Sequence, residues 1–113
     1  MALTVLPLLS ERKIDQFDVL DALLQSTQKN SENIQEGDVI VISTKYISNS
    51  QGRIIDLQKI KASEYGMKIA DKFQLNPGIA EIIIRESDKI FGGIGGFVIT
   101  SADNIMAPNA GID

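Results

Sequence analysis

The sequence predicts an α+β fold: a mixed or antiparallel sheet with a helix pair on one side. Three observations carry that prediction. A run of β-branched residues at 38–42, D-V-I-V-I, reads as a strand buried on both faces. Two helical patterns follow each other directly, meeting at Asn76 and Pro77. Two short apolar runs, 97–100 and 105–107, flank Asp103 and Asn104 and read as a hairpin. Helices paired beside a hairpin, rather than alternating regularly with strands, argue against a parallel α/β sheet. The element order is β, α, β, a brief β, α, α, β, β, and no internal repeat is apparent.

The totals set bounds. The chain has 113 residues, which suits a single domain over 1–113, and 43% of them are hydrophobic, enough for a core. Fifteen acidic against eleven basic residues give a formal charge of -4. No basic stripe stands out, so nucleic acid is not an expected partner. There is no cysteine and no histidine. That excludes disulfides, Cys/His zinc sites, thiol nucleophiles and His-based triads. Catalysis by this chain draws on carboxylates, hydroxyls, lysine, backbone amides or a bound metal. No apolar run approaches the roughly 20 residues of a membrane span, and the N-terminus lacks the basic lead of a signal peptide. A cytoplasmic protein with no membrane partner is expected.

Residues 3–9 are apolar and interrupted by Pro7, so they read as an edge strand or one that ends there. Phe17, Leu20, Leu23 and Leu24 then fall at helical spacing, with Asp15 or Asp18 as cap, in a helix running to about Gln28. Residues 29–36 form a polar loop into the 38–42 strand. That strand ends in Ser43, Thr44 and Lys45, with a loop closing on Gly52 and Arg53. Small donors at a strand end are a common ligand position. Ile54 and Ile55 extend the sheet briefly, and residues 56–61 are ambiguous. Ser63 caps a helix with Tyr65, Ile69, Ala70 and Phe73 on its apolar face. Asn76 and Pro77 stop it and start another, marked by Ile79, Ile82 and Ile83 and ending near Ser87 or Asp88. The glycines at 92, 93, 95 and 96 suggest a phosphate loop, but a dinucleotide fingerprint follows a strand and opens a helix. Here the order is reversed, and a flexible helix-to-strand connection is the reading. Pro108 ends the last strand, and residues 109–113 form a loop.

Together these pieces resemble the coenzyme F-420-0:L-glutamate ligase family, the GTP-dependent gamma-glutamyl ligases of deazaflavin cofactor biosynthesis. The resemblance rests on four features: the early V-L-P-L strand at 5–8; E-G-D-V-I-V-I-S-T at 36–44, continuing to Gln51, Gly52 and Arg53; the helix pair from Ala62 to Phe91, with Glu86 and Ser87 near its end; and N-A-G-I-D at 109–113 after a strand pair. It covers nearly the whole chain and implies the N-terminal portion of a longer ligase. It implies that GTP activates a carboxylate as an acyl phosphate, which the amine of L-glutamate attacks on a deazaflavin acceptor. It implies Ser43 and Thr44 as nucleotide-binding residues and Asp113 as a ligand to Mg2+ or Mn2+, cations that prefer hard oxygen donors. It also implies a homodimer. The remaining metal carboxylates of the family lie beyond Asp113, so this chain alone is expected to be inactive.

Two departures stand out. Leu9, Ser10, Glu11 and Arg12 replace the family's glycine-containing turn on the nucleotide side, and Asn49 stands where a lysine is common. Without the resemblance, Ser43 and Thr44 are an ordinary turn, Asp113 a solvated terminal carboxylate and Lys45 and Arg53 surface charges. The other functional readings are a non-catalytic nucleotide-binding or dimerisation module of that family, and a nucleotide-binding domain with a different acceptor.

Overall fold

The computed structural model describes residues 2–113, which form two compact units, one ending at Ile54 and one running from Ile55 to Asp113. Among the described residues there are four α-helices and a three-stranded antiparallel sheet, an α+β architecture. No helix among them is long and apolar enough to cross a membrane.

The first unit holds α1 (Val19–Lys29) and α2 (Thr44–Ser50). Asp18 caps α1, its carboxylate accepting from Asp21 N–H at 2.9 Å. At the other end Asn30 donates through its side chain to Ser26 O at 2.7 Å and to Leu9 O at 3.2 Å, and its Oδ1 accepts from Leu9 N–H. One amide therefore closes the helix and pins the N-terminal segment. The expected leucine face of α1 is not what packs. Leu20 is 63% and Leu24 48% exposed, while Ala22, Ser26 and Thr27 are buried. The two hydroxyls are satisfied within the helix, Ser26 donating to Ala22 O and Thr27 to Leu24 O, both at 2.8 Å.

Three expected strands are absent. Residues 3–9, 38–42 and 54–55 form no ladder. Residues 38–42 are not buried on both faces either, since Val39 is 86% and Val41 90% exposed. A strand exists only with a neighbour, and these segments find none among the described residues. The expected loop after Thr44 is instead α2. It ends in a Schellman motif: Gly52 at φ +69 donates to Asn49 O at 3.0 Å, and Arg53 N–H to Ser48 O at 3.0 Å.

The second unit holds α3 (Glu64–Phe73) and α4 (Pro77–Glu86), then β1 (Lys89–Ile94), β2 (Phe97–Ala102) and β3 (Ile105–Pro108), in spatial order β1-β2-β3. A 3-10 turn at Leu57–Lys59 occupies the ambiguous stretch. Both expected caps are present. Ser63 Oγ accepts from Gly66 N–H at 3.0 Å, and Asn76 Oδ1 accepts from Gly78 N–H at 2.8 Å with Pro77 at the first helical position. Ile69, Ala70, Phe73, Ala80, Ile83 and Val98 form the core. The glycine-rich stretch is not a loose connection. Residues up to Ile94 are strand β1, and only Gly95 and Gly96 turn. Gly93 lies so close to Phe97 O that no side chain fits. The opposite sheet face carries Ile94, Phe97 and Met106, all exposed.

The helix pair is locked by a carboxylate. Glu81 of α4 is buried, and its Oε2 accepts from Ser63 N–H at 2.9 Å and from Ser63 Oγ–H at 2.7 Å. A capping box normally places that carboxylate three residues after the cap, but Gly66 stands there. Glu81 supplies it from the neighbouring helix, and a Cβ at Gly66 would come within 2.5 Å of Oε2. Arg85 Nε lies 3.1 Å from the other carboxylate oxygen. The Ser63 backbone and hydroxyl bonds, with Arg85 adding to them against partial desolvation, hold the Glu81 carboxyl below its ordinary range. A folded pKa below the unfolded one, about 4.3 for glutamate, stabilises the fold above that value. The contribution is lost as pH falls through the folded value. Glu81→Gln should therefore lower the unfolding midpoint at neutral pH, with the gap to the parent closing in acid. A gap of constant size across the titration would contradict this.

Candidate functional site

The 109–113 stretch starts where β3 ends. Asn109, Ala110 and Gly111 form a 3-10 turn in which all three have positive φ: 48, 55 and 72°. Glycine adopts this freely and asparagine tolerates it, but for an alanine the left-handed region costs roughly 1–2 kcal/mol. Hydrogen bonds from the sheet hold the turn there. Asn109 Oδ1 accepts from Val98 N–H at 2.9 Å. The Thr100 hydroxyl, fully buried, accepts from Ala110 N–H and donates to Ala107 O, both at 2.9 Å. Ile112 N–H returns to Asn109 O at 3.0 Å, and Ala110 and Ile112 pack against the core. Asp113 follows directly and is exposed.

This geometry suits one ligand of a hard cation. Mg2+ is commonly held by one or two carboxylates plus substrate phosphates and water, and Asp113 offers one such oxygen donor. Among the described residues no group of three or more Asp, Glu, His or Cys is placed to hold a metal.

The other stretch lies in the first unit. Ser43 and Thr44 are exposed where α2 begins, and Ser43 is the N-cap residue although its hydroxyl makes no capping bond. Lys45 is exposed in the first turn of α2, and Asn49 is half-buried in the last. Tyr46 faces Phe17, their ring centroids 4.9 Å apart at 61°. A cleft of about 460 Å³ opens beside α1 and α2. Its walls include Leu9 and Glu11 from the departing N-terminal stretch, Lys13, Lys29 and Tyr46. Lys29 Nζ lies 3.2 Å from Glu11 Oε1. The Tyr46 hydroxyl is buried and has no hydrogen-bond partner among the described residues. Ser43 and Thr44 thus belong to one unit and Asp113 to the other.

Sequence reasoning missed Tyr46, Thr100 and the role of Asn109 in its own loop. Tyr46 was hidden because α2 was read as a loop, although Ser43 and Gly52 carry the start and stop signals of a short helix. Thr100 reads as any β-branched strand residue. Thr100→Val should release Ala110 N–H and Ala107 O together, and leaving buried polar groups unpaired costs about 1–3 kcal/mol each. The unfolding free energy should fall by that order, with faster amide exchange at Ala110. Unchanged exchange there would show that the turn does not hang on Thr100.

Residues 11–113 match the family model described as F420-0:Gamma-glutamyl ligase. The chain is similar to the coenzyme F420:L-glutamate ligase of Methanopyrus kandleri, 30% identical over 112 residues, covering 98% of this chain and 43% of the relative. The enzyme of the same name from Methanothermobacter thermautotrophicus is 30% identical over 97 residues, 85% of this chain and 38% of the relative. That from Archaeoglobus fulgidus is 26% identical over 113 residues, 100% and 44%. The chain spans about two fifths of the length of these curated relatives. A match across all but the first ten residues, in a chain whose caps, hairpin and 109–113 turn form one consistent fold, decides the classification: this chain belongs to the F420-0:gamma-glutamyl ligase family.

Proposed function

We propose that this chain is part of a ligase that joins L-glutamate, in gamma linkage, to the deazaflavin coenzyme F-420 precursor, using GTP and a divalent metal. The observation that carries the nucleotide half of this reading is the cleft of the first unit. The Leu9–Glu11 side and α2, which Ser43 and Thr44 open, share it. The resemblance assigns nucleotide contacts to both. The Tyr46 hydroxyl at its wall is a donor still to be used.

In this reading the acceptor carboxylate attacks the γ-phosphorus of GTP, and GDP leaves. The glutamate amine then attacks the acyl carbon, and phosphate leaves with the pair of electrons from the C–O bond. The bound Mg2+ or Mn2+ neutralises phosphate charge when present. Ser43 and Thr44 offer hydroxyls to the nucleotide, and the three-residue turn delivers Asp113 to the cation. Phosphoryl transfer is mostly positioning and charge stabilisation, so a chain without histidine or cysteine suits it. One carboxylate does not complete such a site, and the rest of the family fold supplies the others; the 113 residues alone form no product. The reading includes a cytoplasmic homodimer, for which the exposed sheet face of Ile94, Phe97 and Met106 is available surface.

Calorimetry with GTP and magnesium tests the nucleotide contacts. Ser43→Ala combined with Thr44→Val should weaken binding. Asn49→Lys should tighten it by about ten- to a hundredfold, the worth of one charge-assisted hydrogen bond. If the lysine changes nothing while the double variant still weakens binding, Asn49 does not face the phosphates. If neither alters binding, or no binding heat is seen in any variant, the nucleotide reading of Ser43 and Thr44 fails.

A further inference from the structure

We propose that residues 39–42 are a docking edge for the part of the family fold that the relatives carry outside their matched region, and that this part adds a β-strand along them. The inference rests on membership of the family and not on the nucleotide reading.

Four consecutive β-branched residues, Val39, Ile40, Val41 and Ile42, prefer a sheet. Their exposure alternates: 86%, 42% and 90% for the first three, with Ile42 half-buried. Alternation is the mark of a strand with one face against its own unit and one face bare. The ends of the segment are fixed. Asp38 N–H bonds to Gln35 O at 3.2 Å, and Asp38 Oδ2 accepts from Gln35 N–H at 2.8 Å. On the other side Ser43 O accepts the first hydrogen bond of α2, from Ile47 N–H at 3.2 Å. Between them the backbone groups of residues 39–42 take part in no hydrogen bond among the described residues.

Exposed edges in working proteins are blunted by charge, proline, bulges or cover. Residues 39–42 contain neither charge nor proline. An unblunted edge, held at both ends and bare in the middle, is built to be covered by strand addition. The occupant follows from the relatives. The matched region is 43% of the Methanopyrus kandleri ligase and 38% of the Methanothermobacter enzyme, so most of each relative is fold that this segment does not contain.

The test uses the 113-residue chain and, as a separate polypeptide, the portion of the Methanopyrus kandleri relative outside its matched region. That relative's own matched region serves as the control partner. Sedimentation should show a one-to-one complex at micromolar concentration. Amide exchange at residues 39–42 should be fast in the chain alone and slow in the complex. Val41→Lys should weaken the complex by about tenfold or more while leaving the helical circular dichroism unchanged, because a buried apolar contact of this kind is worth more than about 1 kcal/mol. No complex with either partner, a complex that leaves exchange at 39–42 fast, or protection of 39–42 in the chain alone by a second copy would each overturn the proposal. No GTP enters these readouts, so failure of the nucleotide reading would not register in them.

Discussion

The buried hydroxyl of Thr100 is the interaction on which the best-defined part of the structure depends. It sits on β2 beside Val98, whose side chain fills the core against Ile83 and Phe73. Accepting from Ala110 N–H and donating to Ala107 O, it joins the strand that closes the core to the turn that leads to Asp113. Burial strengthens both bonds and makes either one costly to lose. Three left-handed residues in a row persist because the sheet, through Thr100 and Val98 N–H, holds them on one side and the core residues Ala110 and Ile112 hold them on the other.

The two units are built on different physics. The second has a closed account of its polar groups at its helix junction. Ser63, Glu81 and Asn76 satisfy the helix starts, and the apolar stripes of α3 and α4 meet β2. The first relies on side chains bonding to backbone: Asn30 on Leu9, Ser26 and Thr27 on their own helix, Ser50 on Ile47. Its large apolar residues, Leu20 and Val41 among them, stay exposed. A family segment that carries two fifths of its relatives is expected to expose surface of this kind where it meets the remainder.

The parts legible in the sequence were those with local causes. Ser63 and the Asn76–Pro77 pair announce helix starts through their own side chains. Asp103 and Asn104 take positive φ in a tight turn, as that residue pair favours. Illegible were the features with distant causes. Residues 38–42 carry the composition of a strand, but a period of two says nothing about whether a partner strand is present. The leucine spacing of α1 identified the helix and misjudged its buried face, because burial is decided by what lies opposite. The glycines of 92–96 were read as slack, although close approach to Phe97 explains Gly93. At the candidate site, Ser43, Thr44 and Asp113 were named by resemblance, whereas Tyr46 and Thr100 emerge only from the fold.

The central structural claim is that cohesion resides in the core around Ile83 and Val98 and not in the leucine stripe of α1. Denaturant unfolding of two single variants tests it directly. Ile83→Ala removes a fully buried side chain and should cost about 2–5 kcal/mol. Leu20→Ala, on a residue 63% exposed, should change stability by no more than about 0.5 kcal/mol. Equal losses in the two variants would mean that α1 packs through its leucines after all, and would contradict the account.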